Sequence, residues 1–488
     1  MATMKKAKKT AKPFAKRCAG ILLHPSSLPN ADFGPDAYHF IDFLSSAGFS
    51  LWQVLPLNPP DAENSPYIAR AALALHTEFL SPHVLREWGW LTETDPQHGD
   101  AMLHAVRTGF AANAHDGDAE RYQQFLTSNA AWLDDYALFE AIKAAQSDKS
   151  WQQWPKALRD RDSKALAKAA DDHIEHIDDI KFGQFAIDRQ WRALRDYAHS
   201  RDVKLFGDVP IFVALDSVDV WANRDNFLLD KTGMPTVVAG VPPDYFSKTG
   251  QRWGNPLYNW PKMEEQGFRW WLSRLQRQLD LFDIVRIDHF RGFEAYWEID
   301  ASEESAINGR WVKAPGDALF KTLKKELGAI PLVAEDLGLI TKEVHQLRKR
   351  YKLPGMRILQ FGFDGKPDNP YLPHNYEHDT VVYSGTHDND TTFGWYHSLD
   401  EGGKQLVNHY LGCDGESMPW PVIRAALSCV AQLAVIPMQD LLALGTDARM
   451  NVPGVMKGNW VWKFDWHQVP DDLAAKLHEM NRCYGRLL

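Results

Sequence analysis

Eight short apolar runs rich in β-branched residues recur along this chain, each ending in polar or charged side chains and most separated by stretches at helical spacing. They are 19–24 (AGILLH), 50–57 (SLWQVLPL), 204–213 (KLFGDVPIFV), 282–289 (FDIVRIDH), 330–336 (IPLVAED), 356–363 (MRILQFGF), 380–388 (TVVYSGTHD) and 431–439 (AQLAVIPMQ). Apolar runs of this length alternating with helical segments are the pattern of βα units on a parallel sheet. Between the first two, Gly34-Pro35 opens a helix through Ala47, with proline in the first turn and Gly48 as the stop. Eight such units predict an α/β fold, a closed (β/α)8 TIM barrel. The rival is an open doubly wound sheet, but no G-x-G-x-x-G follows an early strand.

The spacing of the runs is uneven. About 145 residues separate the second from the third, and the stretch from about 80 to 200 carries Ala, Leu, Lys and Asp at helical spacing, as in 131–145. A helical insertion on the C-terminal rim of the barrel is predicted there. A second, irregular insertion is predicted over about 214–260, where tryptophan and tyrosines argue for an ordered loop. After the eighth run about 50 residues remain, too few for a C-terminal β-sandwich domain. The catalytic barrel is therefore expected over 19–488, preceded by a basic, disordered tail over 1–18.

The first 17 residues hold seven basic side chains and no acid, yet lack the apolar run of a secretion signal. Serine is absent from them, which weakens the reading as an organelle transit peptide. Net charge is −10, so nothing pulls the chain toward nucleic acid or anionic lipid. No apolar stretch reaches the ~18 residues that span a bilayer. Four cysteines without C-x-x-C spacing read as reduced thiols and place the protein in the cytoplasm, or in an organelle stroma if the tail were a transit peptide. Nineteen Trp and 12% aromatic content exceed what a core needs and suit stacking on flat apolar ligand faces.

Residues at the C-terminal ends of barrel strands face the active site. Those ends offer Arg286 and Asp288, Glu335, and His387 with Asp388. Arg286 and Asp288 are two apart on one strand face, with Val285 and Ile287 on the other. Turning a charged pair inward is costly unless the pair has work to do. Carboxylates that converge repel, and one should be driven toward its protonated form. Cleavage of a glycosidic bond with retention needs one carboxylate to attack and one carboxylic acid to protonate the leaving oxygen, about 5–5.5 Å apart. Neighbouring strands are about 4.8 Å apart, so the fourth and fifth strand tips suit that pair. The structural alternative is an Arg286–Asp288 pair that caps a strand, with Glu335-Asp336 as a helix N-cap. His173, Glu175 and His176, and separately His374 and His378, have metal-like spacing. The acids around the first set suggest a solvated helix face, and the second lies in a loop, so neither a metal nor a cofactor is expected.

The motifs LHPSSLP (23–29), WQVLPLNPP (52–60), SPY (65–67), GDVPIFV (207–213), GVPPDYFSKTGQRWGNPLY (240–258), VRIDHFRG (285–292), AEDLG (334–338) and SGTHDNDT (384–391) resemble, in order, those of glycoside hydrolase family 77, the amylomaltases or disproportionating enzymes. The resemblance implies that Asp288 is a nucleophile, Glu335 a general acid/base and Asp388 a transition-state stabiliser. It also implies that Arg286 orients Asp288, and that His387 and His289 contact the sugar. Asp244, Tyr245, Phe246, Gln251 and Trp253 are similar to the family's lid over the cleft, and Tyr67 and Asn459 to substrate-contacting positions. The implied activity is retaining transfer of α-1,4-glucan segments between maltooligosaccharide, amylose, starch or glycogen chains. An α-amylase-type hydrolase and a non-catalytic glucan-binding protein are the alternatives. After SPY the chain departs from the family pattern, reading IARAALALHTEF, and Ala62 stands where some members have an aromatic.

Overall fold

The structure, a computed structural model, describes residues 14, 16–243, 247–413, 415–455 and 457–488. Its strands in chain order are β1 (Cys18–Leu22), β2 (Leu51–Gln53), β3 (Lys204–Val209), β4 (Val237–Val241), β5 (Gln251–Pro256), β6 (Ile284–Ile287), β7 (Ala295–Asp300), β8 (Gly309–Lys313), β9 (Leu332–Ala334), β10 (Gly355–Ile358), β11 (Thr380–Tyr383) and β12 (Leu433–Pro437). Eight of them form one parallel sheet in the order β10-β11-β12-β1-β2-β3-β6-β9. The two ends meet where the Ala334 N–H donates to the Pro354 carbonyl at 2.9 Å and the Met356 N–H to Asp336 Oδ1 at 2.7 Å. The eight expected runs are thus the eight strands of a barrel, and a Cβ on Gly355 would lie 2.6 Å from the Asp336 carboxylate at that seam.

Strands buried on both faces read as continuous apolar runs. Alternate residues divide between two cores: Leu22, Phe206, Ile284, Val333, Val381 and Leu433 fill the barrel, whereas Ile21, Leu205, Val285, Val382 and Ala434 face the surrounding helices. Val285 and Ile287 indeed lie outward, which leaves Arg286 and Asp288 on the inner face.

Helix α1 runs Pro35–Ser46, and Gly48 takes φ +71° just after it. Between β2 and β3 lie α2 (Pro82–Glu87), α3 (Gly99–Asn113), α4 (Asp118–Ala145), α5 (Lys156–Arg159), α6 (Ser163–Asp172) and α7 (Ile174–Ser200). The last of these also serves the barrel: its buried Trp191 packs between Phe33 and the edge-on Phe282, and the indole N–H donates to the Leu281 carbonyl at 3.0 Å. The stretch 214–260 is less irregular than expected. It carries a short helix, Val218–Ala222, and strands β4 and β5, which join β7 and β8 in an antiparallel rim sheet ordered β5-β4-β7-β8. After β12 the described residues hold helices and no strand.

The expected tail boundary needs correction. Residues 1–13 and 15 lie outside the described residues, but Phe14 is buried in the barrel core and its carbonyl accepts from Gln432. Arg17 donates to the Cys429 carbonyl at 2.7 Å, and Cys18 already belongs to β1. At this lower end Arg486 is fully buried and donates to the carbonyls of Cys18, Ala426, Leu427, Cys429 and Ala431 at 2.6–3.3 Å. These acceptors have no water to turn to. Arg486→Met should lower unfolding free energy by about 3 kcal/mol in urea titration, because buried acceptors lose a charged donor, while leaving catalysis by the folded protein unchanged.

Candidate active site

The register between strands assembles the site. Asp208 on β3 pairs with Arg286 on β6, and Ile287 on β6 with Ala334 on β9, so Asp288 and Glu335 follow on neighbouring strand ends. Arg286 is buried and donates through Nη1 to both oxygens of Asp208, at 2.8 and 2.7 Å, and through Nη2 to Asp288 Oδ1 at 2.7 Å. Burial opposes its charge, but the two carboxylates outweigh that and raise its pKa well above the usual arginine value. Asp208 also accepts from the Tyr67 hydroxyl at 2.7 Å. Burial pushes the Asp208 carboxyl up against the opposing pull of Arg286.

Glu335 Oε2 accepts from the His289 N–H and Oε1 from the Leu337 N–H, both at 2.8 Å. Burial and then the neighbouring Asp288 charge push this carboxyl up to about 8, with Arg286 and the Leu337 N–H opposing. It therefore holds its proton at neutral pH. His289 makes its contact from the left-handed region, at φ +49°, a strained conformation for a side chain of that size. Its ring lies edge-on to Trp253 at 4.9 Å, is kept neutral by burial, which lowers its pKa to about 4, and leaves Nε2 without a partner among the described residues.

On the opposite wall Asp388 Oδ1 accepts from Asn451 at 2.6 Å, while Arg449 holds its carbonyl at 2.6 Å. His387 Nε2 lies 3.4 Å from Asp388 Oδ2, and its ring stacks on Tyr67 at 5.1 Å and 17°. Trp460 leans on both rings at 5.9 Å. Behind His387 a cavity of about 30 Å³ is lined by His24, Gln439 and Asp390 among others.

The structure thus brings together Tyr67, Arg286, Asp288, His289, Glu335, His387 and Asp388, with Trp253 at the rim. Gln251 accepts from the Trp253 indole at 3.1 Å and so braces that ring. Asn459 uses both ends of its amide within its own loop, donating to Val455 O at 2.7 Å and accepting from Val452 N–H at 3.0 Å. Asp244, Tyr245 and Phe246 lie outside the described residues. The metal-like spacings are otherwise engaged. Glu175 and Asp179 pair with Arg107, His176 faces Asp100 at 3.5 Å, and both nitrogens of His374 are bonded, to Tyr410 and Pro367. Sequence reasoning missed Asp208, Asn451, Arg449 and Trp460. Asp208 was within reach, as a lone acid near the end of an apolar run; the other three sit on a loop without periodicity.

A protonated carboxyl beside a carboxylate clamped by a guanidinium can protonate a leaving oxygen on one side and attack a carbon on the other. The family model for 4-alpha-glucanotransferase of glycoside hydrolase family 77 matches residues 23–468. The 4-alpha-glucanotransferase of Synechocystis is 45% identical, over 96% of this chain and 98% of that one. The chloroplastic/amyloplastic 4-alpha-glucanotransferase DPE1 of Arabidopsis thaliana is 44% identical, over 97% of this chain and 87% of its own length. Amylomaltase from Streptococcus agalactiae, solved in complex with acarbose, superposes with a TM-score of 0.93 at 35% identity, covering 97% of this chain and 100% of that one. On its sequence, its barrel and the acids at its strand ends, the chain belongs to glycoside hydrolase family 77, the 4-alpha-glucanotransferases.

Proposed function

We propose that this enzyme transfers α-1,4-glucan segments between maltodextrin chains through a covalent glucosyl–Asp288 intermediate. The observation that carries the chemical half of this reading is the buried Glu335 on the strand end next to Asp288, where burial and that charge push its carboxyl up to about 8. The Asp288 carboxylate attacks the anomeric carbon as the glycosidic C–O bond breaks, and Glu335 gives its proton to the departing oxygen. Glu335, now a carboxylate, takes the proton of an incoming sugar hydroxyl, whose oxygen attacks the anomeric carbon and releases Asp288. Arg286 orients Asp288 and balances its charge. Asp388, steered by Asn451 and Arg449, bonds sugar hydroxyls as the ring flattens, and His387, Tyr67 and His289 Nε2 line the bound sugar.

Transfer over hydrolysis is supported by the family, and a glucan-like ligand by the acarbose held in the S. agalactiae homologue. Trp253 forms the acceptor-side face in this reading, excluding water while presenting an aromatic ring to sugar. Donors and acceptors are maltooligosaccharides, amylose, starch or glycogen, and the setting is the cytoplasm. No helix among the described residues is long and apolar enough to cross a membrane.

Incubation with maltotriose should give a ladder of shorter and longer maltodextrins at nearly constant total reducing ends; rising reducing ends without longer products would identify a hydrolase. Asp288→Asn should reduce turnover by at least about 10³-fold while glucan binding by calorimetry stays within a few-fold. Formation of the intermediate requires protonated Glu335, so kcat/KM should fall as pH rises through about 8. The same group affects stability. Between the ordinary glutamate value and about 8 the folded chain holds a proton that the unfolded chain has released, so stability declines as pH rises across that window. Glu335→Gln should flatten this decline between pH 6 and 8 in urea unfolding, while removing activity.

A further inference from the structure

The helical insertion touches none of the reacting groups, yet one hydrogen-bonded path leads from it to Trp253. Lys143, near the end of α4, is only 2% exposed, and its Nζ donates to Asp216 Oδ2 at 2.5 Å and to the Lys149 carbonyl at 3.3 Å. Asp216 Oδ1 accepts from the Trp151 N–H at 3.2 Å, and the Trp151 indole donates to the Leu215 carbonyl at 2.8 Å. The irregular segment 211–216 that follows β3 is therefore fastened on one side to the insertion. On its other side it is fastened to the rim sheet. Asn255 donates to the Val213 carbonyl at 2.9 Å and the Tyr258 hydroxyl to that of Ile211 at 2.6 Å. Trp253, two residues before Asn255 on β5, packs against Phe212 of the same segment and against His289 beside the reacting acids.

A cavity of about 400 Å³ lies between these parts, lined by Ile68, Arg70, Lys143, Asp216, Trp253 and Asn255 among others. That space matters because it gives the segment and the indole somewhere to relax. Trp253 is 36% exposed and borders this open pocket on one side, so packing alone holds it weakly and directional bonds contribute. Arg70 turns to Asp148 at 3.0 Å and Glu140 at 3.6 Å, which leaves Lys143 as the cation on Asp216.

We propose that the Lys143–Asp216 pair is a positioning clamp through which the helical insertion sets the place of Trp253 and, with it, the partition of the glycosyl intermediate between a sugar acceptor and water. This rests on the reading of Trp253 as the acceptor-side face. Neither residue touches the reacting atoms, so the clamp governs partition rather than formation of the intermediate.

The test uses the full-length enzyme and maltotriose, measuring longer products formed per new reducing end. Lys143→Met and Asp216→Asn should each lower that ratio roughly tenfold, as displacement of a positioning group by a fraction of an ångström does. Total donor consumption should change by less than about threefold, and Lys143→Arg should recover most of the ratio. The double variant should fall no further than either single one, since both remove one interaction. Asp216 is partly exposed, and Asn keeps an oxygen for the Trp151 N–H while losing the charge that Lys143 meets, so Asp216→Asn decides the matter if Lys143→Met does not fold. A lowered melting temperature with an unchanged ratio would show an ordinary structural pair and overturn the proposal, as would additive losses in the double variant. The outcome is distinct from failure of the functional reading, which would appear in the wild-type enzyme as an absence of longer products.

Discussion

Arg286 is the charge around which the upper end of the barrel is arranged. Below it Ile284 and Phe206 pair, and beside it on β9 stands Val333, so that apolar side chains fill the interior as a closed eight-stranded barrel requires. Placing a guanidinium in the next layer would cost several kcal/mol if it stood alone. Asp208, beside it in register, and Asp288, two residues on, offset that cost. With Glu335, three carboxyls face one guanidinium, so one must keep a proton. Asp208 and Asp288 each bond Arg286 directly. Glu335 bonds only backbone N–H groups, and it is there that the proton rests. A donor acid and a charged neighbour thus follow from one buried cation and the strand register.

The strained His289 belongs to the same arrangement. Chain leaving β6 must turn sharply for its N–H to reach Glu335 Oε2, and the left-handed corner does that without a glycine. The ring packs edge-on against Trp253, so the rim sheet meets the strand ends at this corner.

How much of this was legible in the sequence follows from what each part is made of. Barrel strands are buried on both faces, so their apolar runs stood out, and acids at their ends were conspicuous against them: Asp288, Glu335 and Asp388 could be read off directly. The rim sheet could not. β5 (QRWGNP) and β8 (GRWVK) are largely solvent-facing, carry glycine or proline and show no clean alternation, so nothing local distinguishes them from loop. Asn451 and Arg449 support Asp388 from some 60 residues away, a pairing that only tertiary closure creates. Asn459 is the converse case: a polar residue in a loop lined up with substrate-contacting positions, whereas its amide holds the loop itself together.

The two ends of the barrel use the same side chain in opposite ways. At the bottom, Arg486 is surrounded by neutral carbonyls, and burial lowers its pKa to about 10, so it remains charged in the neutral range while contributing no titration there. At the top, Arg286 is surrounded by carboxylates that raise its own pKa and leave a neighbouring carboxyl poised near 8. Carbonyl partners give a guanidinium a fixed structural duty; carboxylate partners make its surroundings able to exchange a proton. Carboxylate partners alone do not mark a reacting site, since buried Arg277 pairs with Asp188 between two helices outside it. What sets Arg286 apart is a further carboxyl, Glu335, that bonds only backbone N–H groups and is pushed up to about 8.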